Sequence, residues 1–148
     1  MVRLKFKSTL NAKPEDVWAW ALSEKGINSE LRPLLKMTAL SSMTAETANE
    51  LTLGQPIAHS WLMLFGLIPI DRSELTFVEF ESGKRFLEQS PMFSMKQWQH
   101  ERVILPAERG TVITDTLLFD SLLWNPWSKI MVSVLFRNRH KKLKAHFG

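Results

Sequence analysis

Residues 95–119 read MKQWQHERVILPAERGTVITDTLLF, two apolar–polar alternations joined by Ala107-Glu108-Arg109-Gly110. A period of two is the signature of a strand with one buried face. A short connection ending in glycine, which adopts a positive φ without steric cost, folds the two strands into a hairpin. With 107–110 as the loop, Pro106 faces Thr111, Ile104 faces Ile113, Arg102 faces Asp115, His100 faces Leu117 and Trp98 faces Phe119. This register pairs opposite charges and pairs aromatic with aromatic. Slipping it by one residue sets Glu101 opposite Asp115, a penalised like-charge pair. One face of the hairpin then carries Trp98, His100, Arg102, Asp115, Leu117 and Phe119. Its apolar members direct that face toward the interior.

Strand signals continue upstream. They place strands near 36–43, 56–65, 70–80 and 84–90, with Glu81-Ser82-Gly83 as one of the turns. At the N-terminus Val2, Leu4, Phe6 and Ser8 alternate with Arg3, Lys5, Lys7 and Thr9, which predicts a strand with one basic face. Pro14 opens a helix where its missing N–H costs nothing. Glu15 and Asp16 follow where the helix dipole favours acids. Val17, Trp18, Ala21 and Leu22 form its buried stripe, and Gly26 is expected to stop it. Residues 28–35 predict a second short helix or irregular turn interrupted near Pro33.

Downstream of the hairpin, Asn125 reads as a helix N-cap and Pro126 as the first helical residue. This helix should run to about His146. Its first half, Ile130 to Phe136, is apolar nearly all round and is expected to be mostly covered. Its second half keeps one stripe, Val132, Phe136, His140, Leu143 and Phe147, with the basic residues off it. Strand, short helices, a run of antiparallel strands and one long helix make a two-layer α+β domain.

The composition agrees with one domain over residues 1–148. Hydrophobic residues make up 45% of the chain and charged residues 23%, which excludes disorder. With no cysteine, disulfides, thiolate metal sites and cysteine nucleophiles are excluded. With no tyrosine, phenol acid/base chemistry is excluded too. The net charge of +4 is uneven. Lys129, Arg137, Arg139, Lys141, Lys142 and Lys144 lie within residues 121–148, which hold no acid, so the remainder is slightly acidic. That argues against a broad nucleic-acid surface, and no nucleic acid is expected as a partner. The longest apolar stretch, Trp61 to Ile70, is too short to cross a bilayer. No signal-peptide pattern is present at Met1–Lys7, so a soluble, cytoplasmic protein is expected.

Six segments in order carry a resemblance: Pro14-Glu15-Asp16-Val17-Trp18, Leu53-Gly54-Gln55-Pro56-Ile57, Arg85-Phe86-Leu87-Glu88-Gln89-Ser90, Trp98-Gln99-His100-Glu101-Arg102, Thr111-Val112-Ile113-Thr114-Asp115 and Leu135-Phe136-Arg137-Asn138-Arg139-His140. Together they resemble the START-like, helix-grip superfamily, also called SRPBCC or polyketide cyclase/dehydrase-like proteins. The chain departs from that pattern at Arg102, where a second histidine is common, and at Phe119, where a tyrosine is common. The resemblance implies a curved antiparallel sheet wrapped around a long C-terminal helix, with an apolar cavity between them. Its members bind lipids, sterols, polyketides or other hydrophobic molecules, and a minority are cyclases or dehydratases. A fold shared by so many activities does not choose among them.

Two functions are open. In the first, a small hydrophobic ligand is bound or carried in the cavity, lined by Trp61, Phe86, Trp98, Phe119 and Leu135, with Trp18 a further candidate. His100, Arg102 and Asp115 give it polar anchoring. Arg102 suits a carboxylate or phosphate, because its fork matches them in a bidentate way. In the second, the protein is a cyclase/dehydratase-type enzyme in which His100 works with Glu88 or Asp115 as acid and base. Against both stands a structural Arg–Asp pair beside a core histidine.

No cofactor is expected, since there is no G-x-G-x-x-G or P-loop. His59, His100, His140 and His146 lack metal-ligand spacing, and His140 reads as a core histidine. No G-x-S-x-G elbow is present. The segment Trp61–Ile70 is either a strand end packed in the core or a cavity lip that admits ligand or touches a membrane. Trp61, Met63 and Phe65 share a face in either case, and Met63, Met92 and Met95 suit an adaptable pocket wall. The basic C-terminal segment is either a solvated face or a surface that meets an anionic membrane transiently, or nucleic acid, through phosphate contacts.

Overall fold

The alternation at the N-terminus becomes β1 (Val2–Leu10), with Ser8 and Leu10 buried and Arg3, Lys5 and Lys7 exposed. The structure, a computed structural model, describes residues 1–40, 44, 47 and 52–148. Pro14 opens α1 (Pro14–Ala21), with Glu15 and Asp16 in its first turn and Val17, Trp18 and Ala21 buried. Gly26 does not stop this helix. The helix ends at Leu22, and Ser23 caps a second helix, α2 (Glu24–Leu31), by accepting from Gly26 N at 2.9 Å. Gly26 instead permits a close approach: a Cβ there would lie 1.8 Å from the Trp20 carbonyl oxygen. The second helix therefore starts four residues earlier than the sequence suggested, and the cis Arg32–Pro33 peptide follows it.

A strand expected over 36–43 is the short β2 (Leu35–Met37). Residues 41–43 of that expectation lie outside the described residues. Then come β3 (Pro56–Leu64), β4 (Ile68–Glu81), β5 (Arg85–Gln89), β6 (Met95–Ala107) and β7 (Gly110–Ser121). The sheet order is β1-β7-β6-β5-β4-β3-β2, antiparallel throughout. The sheet curls into a half-barrel around the C-terminal helix, α3 (Asn125–Phe147), which is the helix-grip arrangement.

The β6–β7 register is the one that charge and aromatic pairing select: Trp98 opposite Phe119, His100 opposite Leu117, Arg102 opposite Asp115. The hairpin is tighter than expected by one pair. Ala107 faces Gly110, leaving Glu108-Arg109 as the loop. In β7 burial alternates without a break, so Thr111, Ile113, Asp115, Leu117, Phe119 and Ser121 all point inward.

The start of α3 differs from expectation. Trp124 occupies the N-cap position and Asn125 is already helical. The Asn125 side chain turns back onto β7: its Oδ1 accepts from Ser121 N at 2.9 Å and its Nδ2 donates to Asp120 Oδ1 at 3.1 Å. The stripe Val132, Phe136, His140 and Leu143 is buried, and Phe136 stacks on Phe6 of β1 with centroids 5.9 Å apart. The first half of α3 is not covered. Trp127, Ile130, Met131 and Val134 are exposed. On its inner side Val132 and Phe136 pack on Leu117 and Phe119, and the rest of that side borders a cavity.

Candidate functional site

The inward faces of β6 and β7 bring Arg102 and Asp115 together, and α2 adds Glu30; all three side chains are fully buried. Arg102 Nε donates to Asp115 Oδ1 at 2.7 Å, and Nη2 donates to Asp115 Oδ2 at 2.9 Å. On its other side Nη2 reaches Glu30 Oε1 at 2.7 Å and Nη1 reaches Glu30 Oε2 at 3.1 Å. Arg139 of α3 adds a bond from Nε to Glu30 Oε1 at 3.1 Å. Two carboxylates thus meet two guanidiniums, the pairing that makes buried charge tolerable. Burial alone would raise the Asp115 pKa. The Arg102 charge, followed by His100, outweighs it and holds Asp115 well below the ordinary carboxylate range. Glu30 is likewise lowered, because Arg102 and Arg139 overcome its desolvation. Arg102 is raised in turn by Asp115 and Glu30, against its own burial.

Two histidines complete this cluster. His100 Nε2 lies 2.7 Å from Asp115 Oδ1, and His140 Nε2 lies 2.7 Å from Asp115 Oδ2. An ionised carboxylate only accepts, so both Nε2 atoms carry the proton and donate. In the neutral ring, Nδ1 is then an acceptor. His140 Nδ1 has its donor in Ser8 Oγ at 2.6 Å. His100 Nδ1 faces Glu88 Oε1 at 3.6 Å, beyond hydrogen-bonding distance. Glu88 Oε2 accepts from Ser90 Oγ at 2.6 Å. With His100 neutral, its Nδ1 and Glu88 Oε1 are two acceptors that face one another; with the ring protonated, the same contact is an ion pair.

His100 and Glu88 both line a cavity of about 630 Å³ between sheet and helices. The rings of Phe86 and Phe136 flank His100 at 5.5 Å and 5.1 Å, edge to face. Most of the wall is aliphatic or aromatic, including Leu31, Leu62, Leu75, Met95 and Trp98. Asp71 also reaches the wall, but its carboxylate is occupied: Oδ1 accepts from Arg72 N at 2.8 Å and Ser94 N at 3.2 Å, and Oδ2 accepts from Ser94 Oγ. Among the described residues Arg139 is the only arginine or lysine on the wall, and Glu30 holds it.

The candidates drawn from the sequence divide into three groups. Phe86, Glu88, Trp98, His100 and Leu135 line the cavity. Arg102, Asp115 and Phe119 lie behind that wall, fully buried, and do not reach it. Arg102 is thus no ligand clamp, because both edges of its fork are taken by Asp115 and Glu30. Trp61 points away from the cavity. It packs edge to face against Phe93 at 6.1 Å beneath the Arg72 guanidinium, while Leu62 and Leu64 on the opposite strand face look inward. Met63 is likewise absent from the wall, whereas Met92 and Met95 belong to it. Trp18 is core, edge-on to Phe80.

Glu30 and Arg139 were missed. The signal for Glu30 was present: it shares a helix face with Ile27 and Leu31, and one aspartate cannot satisfy the five N–H groups of a buried arginine. No group of three metal-ligating side chains with suitable geometry occurs among the described residues. No helix among them is long and apolar enough to cross a membrane.

By its architecture the chain is a helix-grip protein with an internal cavity. It belongs to the family described as "Domain of unknown function (DUF8410)", whose model matches residues 8–147. No curated protein matches its sequence. Its fold is similar to that of a crystallographically solved protein from Chromobacterium violaceum, at 14% identity over 98% of this chain and 96% of that one, with a TM-score of 0.74. The AHSA1 protein from Silicibacter pomeroyi is 12% identical over 98% and 96% of the two chains, with a TM-score of 0.71. The protein titled Ara h 8.0201 is 10% identical over 99% and 97%, with a TM-score of 0.65.

Proposed function

We propose that the protein binds a small, mostly apolar molecule that carries one hydrogen-bond donor, a hydroxyl or an amine. The observation that carries this reading is the pair of acceptors, His100 Nδ1 and Glu88 Oε1, 3.6 Å apart on the wall of an otherwise apolar cavity. A hydroxyl donates its one proton to either acceptor, an amine with two or more N–H groups reaches both, and an apolar body fills the remaining space. A carboxylate in the same position meets Glu88 with like charge and finds no free cation, since Arg102 and Arg139 are committed to Glu30 and Asp115. The ligand class is therefore a long-chain or polycyclic alcohol or amine rather than a fatty acid.

The experiment is a thermal-shift and native mass-spectrometry comparison of alcohols, amines and acids built on the same hydrocarbon. Stabilisation by the alcohol or amine and not by the acid supports the reading. Preference for the acid overturns it.

A second reading has its own observation. The Asp115 carboxylate fixes the His100 tautomer and orients Nδ1 into the cavity, as a general base requires. With Glu88 beside it, His100 would take a proton from a bound substrate in a cyclase- or dehydratase-type step. Turnover that His100→Ala abolishes, while ligand binding is only weakened, selects this reading over simple carriage.

A further inference from the structure

We infer that the rim of the cavity mouth docks onto the surface of a lipid bilayer. Several side chains belong to the cavity wall and are exposed at the same time, among them Ile70, Leu123, Trp127, Ile130 and Met131. They come from β4, the β7–α3 connection and α3, so they converge on one opening. The apolar surface continues beyond the wall onto Trp124, 73% exposed, and onto the β3–β4 turn, where Leu67 is 78% exposed. Contiguous exposed apolar surface of this kind marks an interaction site rather than chance.

The β3–β4 turn strengthens the case. Its tip, Phe65-Gly66-Leu67, puts Phe65 at φ 53° and Gly66 at φ 74°. Glycine or asparagine fits a left-handed position, and a bulky residue there is strained. Here a phenylalanine holds it and points into solvent. The turn thus keeps an apolar, largely exposed side chain in a position that favours glycine.

Charge identifies the occupant. Three segments at the mouth, 61–70, 91–97 and 121–137, contain no aspartate or glutamate, the adjoining Asp71 is buried and held by Ser94, and Lys96, Lys129 and Arg137 are exposed on them. A second copy of the chain would set these cations against their own images with no carboxylate to meet them. A bilayer offers hydrocarbon for the apolar rim and phosphate for the cations. Trp124 and Trp127 suit the boundary between the two, because an indole buries its ring while its N–H stays hydrated.

The inference goes beyond the ligand reading and is tested without any cavity ligand. The full chain is sedimented with vesicles of phosphatidylcholine and phosphatidylglycerol in equal parts, some brominated along the acyl chains to quench tryptophan. The comparison is Trp124→Ser combined with Leu67→Ser, two exposed positions that form no part of the cavity wall. The parent should co-sediment and be quenched. The variant should keep its fold and thermal stability, yet partition at least about tenfold more weakly. Three results overturn the inference: a parent that stays in the supernatant, a variant that binds as well as the parent, or a dimer in sedimentation velocity that the same two substitutions dissolve.

Discussion

His100 and His140 share one carboxylate: Asp115 accepts from the first at Oδ1 and from the second at Oδ2, each at 2.7 Å. The sharing makes the two rings unequal. His140 spends its second nitrogen on Ser8, whereas His100 presents its second nitrogen to the cavity.

Replacing His100 with phenylalanine keeps the edge-to-face packing against Phe86 and Phe136 and removes the Nδ1 acceptor together with the Nε2 donor to Asp115. Asp115 retains Arg102 and His140 as donors. We expect His100→Phe to fold and to lose up to about tenfold in affinity for an alcohol ligand, the worth of one neutral hydrogen bond. Isothermal titration with parent and variant measures it, and an unchanged affinity contradicts the role given to Nδ1.

Arg102→Met leaves Glu30 and Asp115 buried with too few partners. Breaking a buried pair from one side costs about 3–5 kcal/mol. Adding Glu30→Gln and Asp115→Asn to the same chain should recover part of that loss, because the stranded charges are then gone. Urea denaturation of the single and triple variants decides, and a triple variant less stable than Arg102→Met would refute the account.

Acid should destabilise the protein through Asp115 and Glu30. Both have folded-state pKa values below their unfolded ones. The unfolded chain therefore takes up protons first, and stability is lost as pH falls from about 5 through the unfolded values near 4 and onward to the folded ones. Denaturation midpoints between neutral and acid pH should trace this decline. Glu30→Gln should give a shallower one, and an equally steep curve in that variant removes Glu30 from the explanation.

Gly26→Ala should destabilise by about 1–3 kcal/mol or more, the cost of forcing atoms into a packed site. The clash is with backbone, 1.8 Å from the Trp20 oxygen, and cannot be relieved by a rotamer change. Ser29→Ala, in the same helix, should be near neutral or slightly favourable by propensity. Thermal unfolding of the two side by side separates a helix-propensity effect from a packing one.

Much of the fold was legible because its signals are local. The alternation in β1, β6 and β7 and the Arg102–Asp115 pairing each lie within one strand or one hairpin. The helix boundaries were less so. Gly26 reads as a stop by propensity, yet its requirement is tertiary, the crossing of α2 over the end of α1. Asn125 reads as a cap, yet its side chain serves β7. The wall of the cavity was half legible. Period two assigns residues to a face, but the distance of each residue from the helix decides whether it meets the cavity or the core behind it. That distance depends on sheet curl, which put Arg102, Asp115 and Phe119 behind the wall. On β3 the face carrying Leu62 and Leu64 turned inward, leaving Trp61 outside. Glu30 and Arg139 were hidden by sequence separation, since Glu30 lies 72 residues from Arg102 and 109 from Arg139.

Those separations bear on how the chain matures. Arg102 and Asp115 are synthesised as a hairpin, but Glu30 has waited since the first two helices, and Arg139 and His140 emerge only with the last turns of α3. A nascent chain halted before Arg139 carries a sheet whose central charges are incompletely matched and whose concave side meets only the first part of α3. Such arrested chains should be cut by protease throughout the sheet, and adding the residues through Leu143 should protect the whole at once. Docking of α3 is then the event that commits the chain, late and cooperative, rather than the closing of a preformed shell.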